Sequence, residues 1–138
     1  MKENIETIGI KVIKNYIKAF NERNSDKMAD LFNFPHVRFA NDSVSVISRS
    51  EYLNNQDKVT RLLQEENWHH TEIIDIQNIQ SNETKGHFII HFLRLDKDNN
   101  VIHDFKTLWI VTKVNKHWGV QFRSSFLMSK AATFGKKM

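Results

Sequence analysis

The sequence holds no cysteine, a single proline and only four glycines among its 138 residues. Without thiols there are no disulfides and no thiolate chemistry, which fits a reducing cytoplasm, the compartment expected here. Four glycines leave little room for a loop that cradles phosphates, and neither a P-loop nor a dinucleotide fingerprint occurs. No apolar run approaches the roughly 20 residues of a membrane span, so no membrane partner is expected. Met1-Lys2-Glu3-Asn4 lacks the apolar stretch of a secretory leader, and none is expected.

A large excess of one charge is missing too. The formal charge is +4, with an isoelectric point near 9.4, but the basic residues are spread along the chain. Lys11, Lys14 and Lys18 recur at helical spacing and read as a solvated helix face. With no zinc-finger, helix-turn-helix or single-strand-binding signature, no nucleic-acid partner is expected. Hydrophobic residues at 40 % and charged residues at 26 % are ordinary for a globular chain of this length, which predicts one domain. Its ordered core is expected over about 4–128, with a fraying tail over 129–138 in which Phe134 packs back.

Along the chain, Ile5, Ile8, Val12, Ile13, Tyr16, Ile17 and Phe20 recur in three- and four-residue steps and predict a helix over 4–21. Ser25 is the expected N-cap of a short second helix carrying Met28, Leu31 and Phe32. Pro35 predicts a boundary. Short strands follow over 36–40 and 44–47. Ser48 and Glu51 match a capping box opening a third helix to about Glu66. Four strand-like stretches then run from Trp68 to Phe126, parted by polar turns. Helices first and strands after predict an α+β fold.

Alternation assigns faces to the last strands. Pairing Leu95 with Val101, and turning at Asn115-Lys116, puts His87, His91, His103, Trp109, Val120 and Phe122 on one face. Phe88, Ile90, Phe92, Arg94, Asp104 and Arg123 fall on the other. His36 and Arg38 share a face of their own strand. If that face looks inward, His36 is a candidate general base and Arg38 an anion anchor. His87 and His91 lie about 13 Å apart in an extended strand, too far to hold one ion together, so no metal is expected.

The phrase Tyr16-Ile17-Lys18-Ala19-Phe20-Asn21, then Ser25-Asp26 and Leu31-Phe32, resembles the nuclear transport factor 2-like superfamily. Lys116-His117-Trp118-Gly119-Val120 looks like its usual ending. The resemblance implies a cone: a curved mixed or antiparallel sheet, cystatin-like, wrapped around three N-terminal helices. It also implies an apolar cavity, and commonly a homodimer through the sheet's open face. Ketosteroid isomerases of that group need a tyrosine and two aspartates. Tyr16 matches the tyrosine, but the acids fall near Ala40 and near Leu108 or Trp109, where this chain has none.

The expected function is therefore binding of a small apolar molecule, without a cofactor. Tyr16, Arg38, His103, Trp109 and Phe122 are its candidate contacts. If the pocket does chemistry, cofactor-free proton transfer of isomerase, cyclase or lyase type is the economical choice, with His36 or His91 as base. The alternative is a non-catalytic dimeric interaction module whose cavity is filled by side chains.

Overall fold

The structure, a computed structural model, describes residues 4–133 and 135–138. Met1, Lys2, Glu3 and Phe134 lie outside the described residues, and with them the leader reading and the expected packing of Phe134. Three helices precede or interrupt the strands: α1 (Ile5–Asn21), α2 (Ser25–Asp30) and α3 (Arg49–Glu65). The strands are β1 (Phe32–Ala40), β2 (Ser43–Ile47), β3 (His70–Ser81), β4 (Lys85–Leu95), β5 (Val101–Val114), β6 (His117–Ser125) and β7 (Lys136–Lys137). They form one mixed sheet in the order β3-β4-β5-β6-β1-β2-β7, parallel only between β1 and β6. The fold is the expected α+β cone, and the sheet does not close into a barrel.

Local chemistry sets the helix starts. Asn4 caps α1 and Asn24 caps α2, each accepting a backbone N–H three residues on. The cap of α2 is thus one residue before the expected Ser25. Ser48 and Glu51 form the complete capping box of α3. Pro35 does not end an element: β1 runs through it, and the register against β6 shifts between Phe32 and Val37. In the stretch expected to fray, described residues pack back onto the domain. Leu127, Ser129, Ala131 and Ala132 are buried, and β7 pairs with β2.

Two β-bulges decide which side chains meet. Leu95 does lie opposite Val101, but Arg94 lies opposite His103, so Ile102 is an extra residue on β5. Likewise Val111 faces Val120 while Ile110 faces Phe122, making Gln121 the extra residue on β6. Each extra residue reverses the alternation beyond it. Phe88, Ile90, Phe92 and Arg94 therefore share a face with His103, Phe105, Thr107, Trp109, Arg123 and Ser125. His91 and Phe122 go to the opposite face. The apolar sets explain the choice: Phe88, Ile90 and Phe92 are essentially excluded from solvent against the helices. Swapping them for His87, Ile89, His91 and Leu93 would forfeit roughly 1.5–3 kcal/mol per large apolar side chain brought out.

The buried stripe of α1 lies on this inner face, and Phe88 is wedged under it. A Cβ on Gly9 would fall 2.1 Å from Phe88 Cζ, and one on Gly86 would fall 2.8 Å from the same ring's Cε2. With glycines on both sides the ring has nowhere to retreat. Gly9→Ala should therefore destabilise by about 1 kcal/mol net, because overpacking outweighs the gain in helix propensity. Urea unfolding tests this; a stabilised variant would mean that helix and strand do not approach so closely.

Candidate functional site

Between α1, α3 and the inner face of the sheet lies a two-lobed cavity. The outer lobe has a volume of about 50 Å3 and the inner lobe about 30 Å3. Tyr16 and Phe20 of α1, Arg38 of β1, Arg94 of β4 and Arg123 of β6 line both. Tyr52, Asn55, Gln56 and Val59 reach the outer lobe from α3 at helical steps, facing His36 of β1. Phe92, Thr107 and Trp109 line the inner lobe. Ala131 and Ala132, in the segment after β6, close the outer lobe. The volumes fall far short of the several hundred Å3 typical of drug-sized pockets.

Rings fill much of the centre. Tyr16 stacks on Phe32 at 4.8 Å, and His36 stacks on the same Phe32 ring at 4.1 Å. The Tyr16 and Tyr52 hydroxyls hydrogen-bond at 2.8 Å. Burial raises the Tyr52 phenol well above its ordinary value, and proximity to Tyr16 adds to it, so this hydroxyl keeps its proton.

His36 is held in one neutral form. Arg123 Nε donates to its Nε2 at 3.0 Å, so Nδ1 carries the proton and donates to the Val120 carbonyl at 3.3 Å. Burial is the main force holding the imidazole well below its usual pKa, followed by the charges of Arg123 and Arg38. The Arg123 guanidinium lies over Phe32, Tyr16 and Trp109, at 4.9, 5.7 and 5.8 Å from the ring centres.

Arg94 has a relay to a carboxylate. Its Nη1 donates to Ser129 Oγ at 3.1 Å, and Ser129 donates to Glu66 Oε1 at 2.5 Å. His103 completes the chain, with Nε2 at 2.9 Å from Glu66 Oε2. Burial lowers the Arg94 pKa to about 10, and Glu66 opposes that shift. Arg38 is different: it is half-buried and lines both lobes, and no hydrogen bond or ion pair holds its guanidinium among the described residues. Burial, Arg123 and Arg94 together depress its pKa well below the ordinary value. The Trp109 indole N–H also lacks an acceptor.

Of the residues singled out from sequence, the cavity brings together Tyr16, His36, Arg38 and Trp109. His91 lies on the outer face, 2.5 Å from Asp104, and Phe122 packs there against Phe39 at 5.9 Å. Both are displaced by the reversed alternation. His103 is on the inner face but is taken up by Glu66 and lies outside the lining. Asp104 and Arg94, expected together, point to opposite sides of the sheet. Sequence reasoning missed Arg94, Arg123, Tyr52 and Gln56. The more apolar alternate set of β4 was the signal for Arg94, since it continues Phe88, Ile90 and Phe92.

The family described as "NTF2-like protein (DUF6841)" matches residues 8–122. The chain belongs to this NTF2-like family. No curated protein matches the sequence. Solved structures share its fold at low identity. A cystatin-like protein of unknown function from Nostoc punctiforme superposes with TM-score 0.72 at 9 % identity, covering 91 % of this chain and 93 % of its own. An NTF2-like protein from Novosphingobium aromaticivorans gives 0.68 at 12 % identity, covering 88 % and 82 %. One from Shewanella oneidensis gives 0.62 at 12 % identity, covering 84 % and 93 %.

In this NTF2-like domain the described cavity lining contains no Asp or Glu, so it offers no carboxylate base. It offers instead a neutral imidazole, a pair of phenols and three guanidiniums. The buried neutral His36 has a thermodynamic signature. A depressed folded-state pKa means that the unfolded chain binds a proton first, so His36 stabilises the fold above the unfolded pKa near 6.5 and that contribution falls away as the pH drops below it. Relative to His36→Gln, the parent protein should lose up to about 1.4 kcal/mol per pH unit between pH 6 and pH 5. Parallel pH slopes in urea titrations of the two proteins would contradict the assignment.

Proposed function

We propose that this NTF2-like domain binds a small molecule in the two-lobed cavity, in contact with Tyr16, His36, Arg38 and Trp109. One observation carries the reading: polar groups from α1, α3, β1, β4 and β6 converge on a small, partly open space between apolar walls, a combination that ligand sites use at larger volume. A water needs roughly 10–15 Å3 of such volume, so the lobes admit a handful of heavy atoms and not a steroid. If the bound molecule also reacts, His36 is the base within reach. Its Nε2 lone pair is engaged by Arg123, so a substrate would have to draw that guanidinium away before a proton could move. His91, on the far side of the sheet, has no part in such a step.

The rings that meet at the centre favour a second reading, an interaction module with a filled cavity. Native mass spectrometry on protein purified from its own host, with NMR fragment screening, separates the two. The expected result is a retained small adduct, or fragments that move the Trp109 indole signal, with both lost in the cavity-filling variant Ala131→Phe. No adduct and no fragment shift would favour the filled module.

We also propose that the outer face of the sheet pairs with a second copy. Ile89, Leu93, Leu108, Ile110 and Phe122 form a half-buried apolar surface there, too large to leave open at no cost. Light scattering should report a dimer that Ile110→Asp converts to a folded monomer. A monomeric parent protein would remove this proposal.

A further inference from the structure

We infer that the occupant of this cavity is a small carboxylate, held between the guanidiniums of Arg38 and Arg123. The inference rests on the pocket reading above and adds the chemical class of the ligand. The argument starts from charge. Three guanidiniums line one small space, and no acidic residue lines it among the described residues. Of the three, among the described residues, only Arg94 has a compensating charge, Glu66, reached through Ser129. Arg123 donates to a neutral imidazole and rests on aromatic faces. Among the described residues the Arg38 guanidinium has no hydrogen-bond acceptor.

Cations withdrawn from water and left unpaired are costly, and the three repel one another. Indeed Arg38 and Arg123 each lower the proton affinity of their neighbours in the cavity. A fold gains nothing from such an arrangement by itself; an anion arriving in the cavity reverses the sign of the interaction. The geometry narrows the class. Arg38 and Arg123 are register partners on the parallel strands β1 and β6, so their backbones stand about 4.8 Å apart with both side chains on the inner face. Two planar forks side by side suit a planar two-oxygen group. The unsatisfied Trp109 N–H is a further donor on the same wall. The lobe volumes limit the rest of the ligand to a short apolar tail.

Propanoate and propanamide differ little in size but differ in charge, so titrating both against the 15N-labelled full chain isolates the effect. Propanoate should move the arginine Nε–H and Trp109 indole signals saturably, with the amide about ten-fold weaker or worse. Arg38→Gln should weaken propanoate by about ten-fold or more, while raising the melting temperature of the ligand-free protein because it removes a half-buried charge that repels Arg94 and Arg123. Should that variant not fold, Arg38→Lys keeps the charge and loses the fork, and it too should weaken propanoate. Equal affinities for acid and amide would overturn the carboxylate assignment and leave the pocket standing. Tighter binding of inorganic phosphate than of propanoate would overturn it as well. Shifts from neither propanoate nor propanamide would take down both readings. A drop in melting temperature for Arg38→Gln without loss of propanoate binding would make Arg38 a structural residue and sink the proposal.

Discussion

Alternation of side chains along paired strands, broken at Ile102 and again at Gln121, is the constraint from which the cavity follows. Each extra residue turns every later side chain of its strand to the other face. The first bulge aligns Phe88, Ile90, Phe92 and Arg94 with Trp109 and Thr107. The second exchanges Phe122 for Arg123. Without them, Trp109 would share the interior with imidazoles and Phe122; with them, it shares it with guanidiniums. Burial of the phenylalanine-isoleucine set of β4 fixes the arrangement energetically, because the alternative set carries two histidines.

What the cavity then contains is mutually dependent. His36 stays neutral because it is buried beside Arg123 and Arg38. Arg123 is tolerated because His36 accepts from it and Phe32, Tyr16 and Trp109 present their faces to it. Arg94 is tolerated through Ser129 and Glu66, which depends on the C-terminal segment folding back over α3. Among the described residues Arg38 has no such support. A half-buried charge that the fold does not pair is the pattern of a residue kept for its partner and not for stability. Drawing Arg123 toward an anion would free His36 Nε2, so the proposed anion binding would be linked to any proton transfer by His36.

Much of the architecture was legible. Helical periodicity, the Ser48–Glu51 capping box and the polar turns located the elements, and the Tyr16 phrase pointed to the family that the matched residues establish. The Asn115-Lys116 turn was placed correctly, with both residues at positive φ despite the cost for lysine. Simple alternation puts His36 and Arg38 on one face of their strand but leaves open whether that face looks inward; in the structure both line the cavity. The bulges were not legible, because an unpaired residue on a strand leaves no compositional mark. Arg94 was recoverable from the greater apolarity of its face; Arg123 was not, since Phe122 is the more obvious core residue. The tail was misread because its anchors, Ser129 and two alanines, are small and weakly hydrophobic.

A crystal structure of the protein soaked with propanoate measures the central claim most directly. The account predicts density for one carboxylate bridging Arg38 and Arg123 inside the cavity, with Phe122 on the opposite face of the sheet. Arg123 turned outward with Phe122 in its place, or a cavity left dry while propanoate sits elsewhere, would contradict it.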